Sequence, residues 1–231
     1  MAIWKSLLLV YSGIEVRFPD PENGQGHFVI NMPRQEIDDA VESFKQFPAL
    51  AGDLTNGAVD VRHEIIHPDE KLTSLTSMGD GMFWPSPDDT RREIDRFAPA
   101  GAYNSIFVFW PQNRFGANRL SIPSAGWGLG MGASWWSNHA TYATVANAPS
   151  NHWKIPIVGE VWLHEWLHGV CAGFAARGHV MPDGDADGGS RHGYVQSPVT
   201  GWTDYYRDLM NCKVRENGKL LGIPTGAWYK K

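Results

Sequence analysis

Two histidines four residues apart, His164 and His168, with Glu165 directly after the first, are the residues of this chain best suited to chemistry. They sit in an apolar run, residues 157–176, that reads as one helix. Residues four apart share a helix face, so both imidazoles can reach a single metal ion. Glu165 stands beside the first ligand, where its carboxylate can take a proton from a water activated at the metal. That combination points to an enzyme with a catalytic zinc.

A catalytic zinc takes three protein ligands and keeps one position open, so a third group is required. The segment 178–194, GHVMPDGDADGGSRHGY, offers Asp183, Asp185, Asp187, His179 and His192, with Asp204 and Asp208 beyond it. Asp187 is the favoured ligand. It lies far enough past the helix for the chain to turn back beneath the metal, and Gly188 and Gly189 after it let the backbone approach closely. His192 is the next choice. The same aspartates carry a rival reading, because Asp183, Asp185, Asp187 and Gly188 match the first half of a calcium loop. Tyr194 stands where that loop needs its bidentate Glu, and a polar surface turn without metal is the third reading. Zn2+ is therefore the expected cofactor and Ca2+ the alternative.

The elements that must position these groups follow from pattern. Residues 7–18 and 27–32 read as strands around a Pro/Asn/Gly-rich turn at 19–26. Pro33 starts a helix carrying Ile37, Ala40, Val41 and Phe44, which Pro48 is expected to close. Val59, Val61 and Ile65 mark a strand. Ser86 as N-cap, Pro87 next, and Asp88 and Asp89 in the first turn announce a helix to Phe97. Residues 103–110, aromatic and β-branched, read as a buried strand. Residues 116–132, with five glycines, are the least regular stretch. Short strands are expected at 133–137 and 141–146. Pro156 opens the histidine helix and Gly178 ends it; a further helix is expected at 202–210, and Asn217-Gly218 signals a hairpin.

This order of strands and helices ahead of a His-Glu-x-x-His helix resembles the zincin metallopeptidases. The likeness covers residues 1–180 by element order and 164–168 by motif. It implies an α+β fold in which a twisted mixed sheet packs on two main helices. The second of these carries the motif across the floor of the cleft, followed by a small irregular C-terminal part. The extended metzincin motif is absent, since Cys171 and Phe174 occupy the positions of its Gly and third His. A gluzincin needs a later Glu, and only Glu216 follows Glu165, beside the expected hairpin turn where it reads as solvated. An aspartate ligand would resemble the aspzincin arrangement. The resemblance further implies peptide hydrolysis, with Glu165 as general base and Tyr194 as donor to the oxyanion; His192 is the other residue of matching type. Met210 compares with the Met-turn, or is a core methionine. Asp204 or Asp208 would orient a ligand His, or else lie on a solvated helix face or pair with Arg207. Residues 134–144 would form the edge strand that receives a peptide, with Trp127, Trp135 and Trp136 along the cleft. His139 and His152 read as loop histidines, and His63 and His67 have no metal spacing.

The chain has 231 residues, 42% hydrophobic and 19% charged, which suits one catalytic domain over 1–231, divided at 178. A net charge of −5 without a Lys/Arg cluster argues against nucleic acid or an anionic membrane as partner. Residues 7–10 are too short for a signal core, and the histidine helix is too polar for a membrane span. Eleven tryptophans resemble secreted polymer-binding hydrolases, although core positions account for most such residues. A secreted monomer acting on protein or peptide is the expectation. Cys171 and Cys212 allow one bridge or two thiols. The alternatives are another zinc hydrolase, of esters, amides or cell-wall peptides, and a calcium- or carbohydrate-binding module.

Overall fold

A computed structural model describes residues 1–18, 26–154 and 156–229. In chain order it runs β1 (Ala2–Val10), β2 (Gly13–Phe18), β3 (Gly26–Asn31), α1 (Arg34–Leu54), β4 (Val59–Ile66), β5 (Thr76–Gly79), β6 (Met82–Trp84) and α2 (Arg91–Phe97). There follow β7 (Ser105–Trp110), β8 (Asn113–Arg114), β9 (Leu120–Ser121), β10 (Gly128–Met131), β11 (Thr141–Ala146), α3 (Glu160–Ala175), α4 (Thr203–Leu209), β12 (Val214–Glu216) and β13 (Lys219–Leu221). The class is mixed α+β, built, among the described residues, on a twisted mixed sheet and four α-helices.

The main sheet has the order β10-β11-β7-β1-β4. β4, β1, β7 and β11 are parallel, and β10 runs antiparallel at one edge. β1 lies inside the sheet with both faces covered, which explains its unbroken run Leu7-Leu8-Leu9-Val10, all fully buried. Leu8 and Val10 face α1 and α3 together with Phe107 and Phe109. Leu7 and Leu9 face the opposite layer, where the β2–β3 hairpin, Phe83 and Ile94 cover the sheet. The first core draws on residues from Leu8 to Trp228, so α4 and the chain beyond it pack into the same apolar layer as the two long helices. Among the described residues no helix is long and apolar enough to cross a membrane.

Several boundaries differ from expectation. The strand expected over 7–18 is two strands, because the chain leaves the main sheet after Val10 and β2 pairs with β3 instead. The turn expected at 19–26 falls largely outside the described residues. Pro48 does not close α1. The ring deletes one backbone hydrogen bond, but Ala51 and Leu54 beyond it are buried and hold the last turns in place. Ser86 and Asp89 bond reciprocally in a turn, Ser86 N–H to Asp89 Oδ2 at 2.8 Å, and α2 starts only at Arg91. Residues 135–137 form a 3-10 turn, and α3 begins at Glu160 rather than at Pro156. The edge strand is β10, inside the glycine-rich stretch; β11 lies in the sheet interior. Five tryptophans, Trp110, Trp153, Trp162, Trp166 and Trp228, are buried in the cores. Both cysteines are free.

Candidate metal centre

α3 fixes the centre. Its apolar face, Trp162, Leu163, Trp166, Leu167, Val170 and Phe174, is buried in the core, which leaves His164, Glu165 and His168 toward a cleft. The indole N–H groups of Trp162 and Trp166 donate to Ser43 and Ser105, so this face is satisfied as well as apolar. Gly159 at φ 91 lets the helix start against the backbone of Phe47, where a Cβ would collide. The far end closes on Gly178 in the left-handed region, with the His179 N–H bonded to the Phe174 carbonyl.

The chain then returns as expected of an aspartate ligand. His164, His168 and Asp187 each offer one ligand atom, all within 4.8 Å of one another, so the three are positioned to hold a metal ion. The two Nε2 atoms lie 3.3 Å apart. His164 Nε2 is 3.4 Å from Asp187 Oδ1, and His168 Nε2 is 3.7 Å from Asp187 Oδ2. Gly188 and Gly189 serve by size: a Cβ on the first would meet the Asp183 carbonyl and Tyr205, and on the second the Trp202 ring.

The distal nitrogens are held too. His168 Nδ1 lies 2.6 Å from Asp185 Oδ1, and His164 Nδ1 lies 2.9 Å from the Tyr206 hydroxyl. With a proton on each Nδ1, both Nε2 lone pairs point to the shared point among the three ligands. Burial, then the neighbouring His168, push the His164 pKa down and keep that ring neutral. Burial lowers His168 as well, but the hydrogen bond and charge of Asp185 outweigh it and hold its pKa above the ordinary value. Asp185 sustains this contact at φ 35, a strained backbone for a residue with a side chain. The Tyr205 hydroxyl donates to its carbonyl.

Glu165 is 5% exposed, with Oε1 3.9 Å from His164 Nε2. Burial is the main cause that pushes its pKa up to about 7; His168 opposes it, and Asp187 and Asp185 add to it. A carboxyl in that range can take and return a proton near neutrality. Above it lies β10. A Cβ on Gly128 would strike the Glu165 carboxylate, and one on Gly130 would strike the Glu165 carbonyl and His168 Cβ. Glycine at these two positions therefore lets the edge strand lie directly on the chemistry.

Strand and helix enclose a cleft of about 580 Å³, closed on its other side by Gln196, Trp202 and Tyr206. Glu160, one turn before His164, is buried there and accepts the Trp202 N–H at 2.5 Å. Trp202 and Tyr206 are likewise one turn apart. Two bonds, Glu160 to Trp202 and His164 to Tyr206, thus lace α3 to the start of α4.

The other expected site residues lie elsewhere. Tyr194 does not line the cleft; its hydroxyl donates to Asp208 at 2.6 Å. Asp208 is thereby engaged, and neither it nor Asp204 orients a ligand histidine. Arg207 pairs with Asp53 instead of either. His192 Nε2 lies 3.0 Å from the Asp183 carbonyl. The Asp183 carboxylate pairs with Arg191 and that of Asp185 with His168, so the three aspartates face three different partners rather than one calcium. Glu216 is not merely solvated: it accepts the Asp183 N–H and ties the aspartate loop to the β12–β13 hairpin. Met210 is buried outside the cleft lining. Of the three tryptophans expected along the cleft, Trp127 lines it. His63 stacks edge-on against Phe44.

Sequence reasoning missed Tyr206, Glu160, and the pair Gly128 and Gly130. A signal existed for the last: GLGMG puts glycine at every second residue, the period of a strand. Compared with protein-family models and with curated proteins, the chain matches none.

Proposed function

We propose that the chain is a zinc-dependent endopeptidase of the zincin type. The observation that carries this reading is the convergence of His164, His168 and Asp187, whose ligand atoms, one from each residue, lie within 4.8 Å of one another. Tetrahedral zinc, with bonds of about 2.0–2.2 Å, separates its ligand atoms by roughly 3.3–3.6 Å. The two Nε2 atoms are 3.3 Å apart and His164 Nε2 is 3.4 Å from Asp187 Oδ1, both in that range, while His168 Nε2 meets the other carboxylate oxygen, Oδ2, at 3.7 Å. Calcium prefers six to eight oxygens, and two imidazoles are a poor match to it. Two histidines and one carboxylate also leave one tetrahedral position free, as a catalytic site requires.

Zinc held by these groups supplies Lewis acidity, which polarises a scissile carbonyl and makes a water molecule nucleophilic near neutral pH. The chain's own residues do the rest. The Glu165 carboxylate takes the proton from the attacking water as the oxygen–carbon bond forms. It returns that proton to the amide nitrogen as the carbon–nitrogen bond breaks. Its burial beneath Gly128 restricts bulk water from competing for the proton. Tyr206 and Asp185 hold the protons on the Nδ1 atoms of His164 and His168 and so keep Nε2 available. Within the main sheet β10 pairs with β11 on one side only. Its other edge can bond an extended peptide backbone and lay one peptide bond along Glu165.

The Glu165→Gln protein, loaded with zinc, tests this reading on a peptide panel. It should keep one zinc per chain and lose hydrolysis by at least about a hundredfold. A variant as active as the parent would overturn the mechanism.

A further inference from the structure

Trp127 and Gly126 line two cavities at once. One is the metal cleft; the other, about 390 Å³, lies on the far side of them. Its floor is a fixed amide frame. Asn147 is buried, its Oδ1 accepts the Asn113 N–H at 2.8 Å, and its Nδ2 donates to the Asn113 carbonyl at 2.8 Å and to Glu36 Oε2 at 2.9 Å. Its walls are aromatic: the Trp127 ring lies 4.6 Å from the His152 ring, and Phe115 faces the same space.

The charge in this cavity differs from its surroundings. Among the described residues Arg119 is the one formally charged group in its lining, and it forms no ion pair with any of them. Among the described residues no carboxylate lines it, whereas Glu160, Glu165 and Asp187 line the metal cleft and the chain carries a net charge of −5. A cation with no ion-pair partner among the described residues, beside neutral amides, favours a carboxylate.

Position ties the cavity to the reaction. Gly128 lies against the Glu165 carboxylate, and Trp127 immediately precedes it. A peptide on the β10 edge advances about 3.3 Å per residue, so a residue one or two places from the scissile bond reaches Trp127. We infer that this second cavity is a specificity pocket for a substrate carboxylate, held by Arg119 against the Trp127 wall. For an endopeptidase the carboxylate is an Asp or Glu side chain near the scissile bond; capture of the peptide's own C-terminus, which would make the protein a carboxypeptidase, is the other outcome that the test separates. The inference rests on the peptidase reading above.

The experiment measures binding rather than turnover, using zinc-loaded Glu165→Gln protein and calorimetry. Three peptides share one sequence: a Glu version with amidated C-terminus, its Gln twin, and the Gln version with a free C-terminus. A side-chain pocket predicts about fivefold tighter binding of the Glu peptide than of its Gln twin. A C-terminus pocket predicts the same advantage for the free acid alone. Adding Arg119→Ala should bring the favoured ratio to one, while Arg62→Ala, on the opposite edge strand, controls for net charge and should leave it intact. Equal binding of all three peptides, or a preference that survives Arg119→Ala, overturns the pocket. If parent protein with zinc neither binds nor cuts any peptide, neutral or acidic, the peptidase reading itself falls and the pocket with it.

Discussion

Replacing Tyr206 by Phe removes one oxygen and keeps a buried ring in place. The hydroxyl sits 2.9 Å from His164 Nδ1, inside a contact between α3 and α4 that water reaches poorly. For His164 Nε2 to act as ligand, the ring proton must stay on Nδ1, and Tyr206 is its acceptor. Burial holds the tyrosine pKa well above its ordinary value, with Glu160 adding to the effect, so the group remains a neutral hydroxyl. Without that oxygen the Nδ1–H is unsatisfied, at a cost of about 1–3 kcal/mol. The ring can escape by moving its proton to Nε2, but that atom then no longer binds metal. Each 1.4 kcal/mol is about tenfold in affinity, so zinc should bind roughly 10–100-fold more weakly. Competition against a chromophoric chelator measures this, and thermal unfolding of the metal-free protein separates a folding defect from a ligand defect. A zinc affinity within twofold of the parent, with normal unfolding, would refute the assigned role of Tyr206.

Asp185→Asn keeps an oxygen beside His168 Nδ1 but removes its charge, so the same titration should show a loss of about tenfold, and an unchanged affinity would count against the contact. Gly128→Ala drives a Cβ into the Glu165 carboxylate; a displacement near 1 Å should lower kcat about a hundredfold while zinc content, read by atomic absorption, stays at one per chain. Glu160→Gln tests the second bond between α3 and α4 through pH. Burial raises the folded pKa of Glu160, only partly offset by backbone hydrogen bonds from Trp202 and Ile157, so the folded state binds this proton more tightly than the unfolded chain. Parent stability from this group is full below the unfolded carboxyl range and is lost as pH rises through the folded pKa. The Tm of the Gln variant relative to parent should therefore climb with pH across that window, and a constant difference would contradict it.

What sequence could show depended on distance along the chain. His164 and His168 are a local pattern, and helical periodicity alone puts them on one face. Asp187 is nearly local as well: the return after Gly178 is short, and the glycines behind it mark a close approach. The pairing partners were out of reach for the opposite reason. Tyr206 and Tyr194 are residues of the same type in the same region, and only the packing of α4 on α3 decides which one meets His164. β10 was hidden by its composition. Glycine has low strand propensity and reads as loop, yet here it is required because helix backbone and the Glu165 side chain occupy the space of its Cβ. Pro48 misled in the same way, since a strong local stop is overridden by buried Ala51 and Leu54 beyond it.

The central claim is a zinc ion at one named place. Crystals of protein purified without added chelator, measured on both sides of the zinc absorption edge, test it directly. The expected result is a single anomalous peak among His164 Nε2, His168 Nε2 and an Asp187 carboxylate oxygen, one per chain. A peak elsewhere, or full occupancy by an ion without a zinc edge, would contradict it.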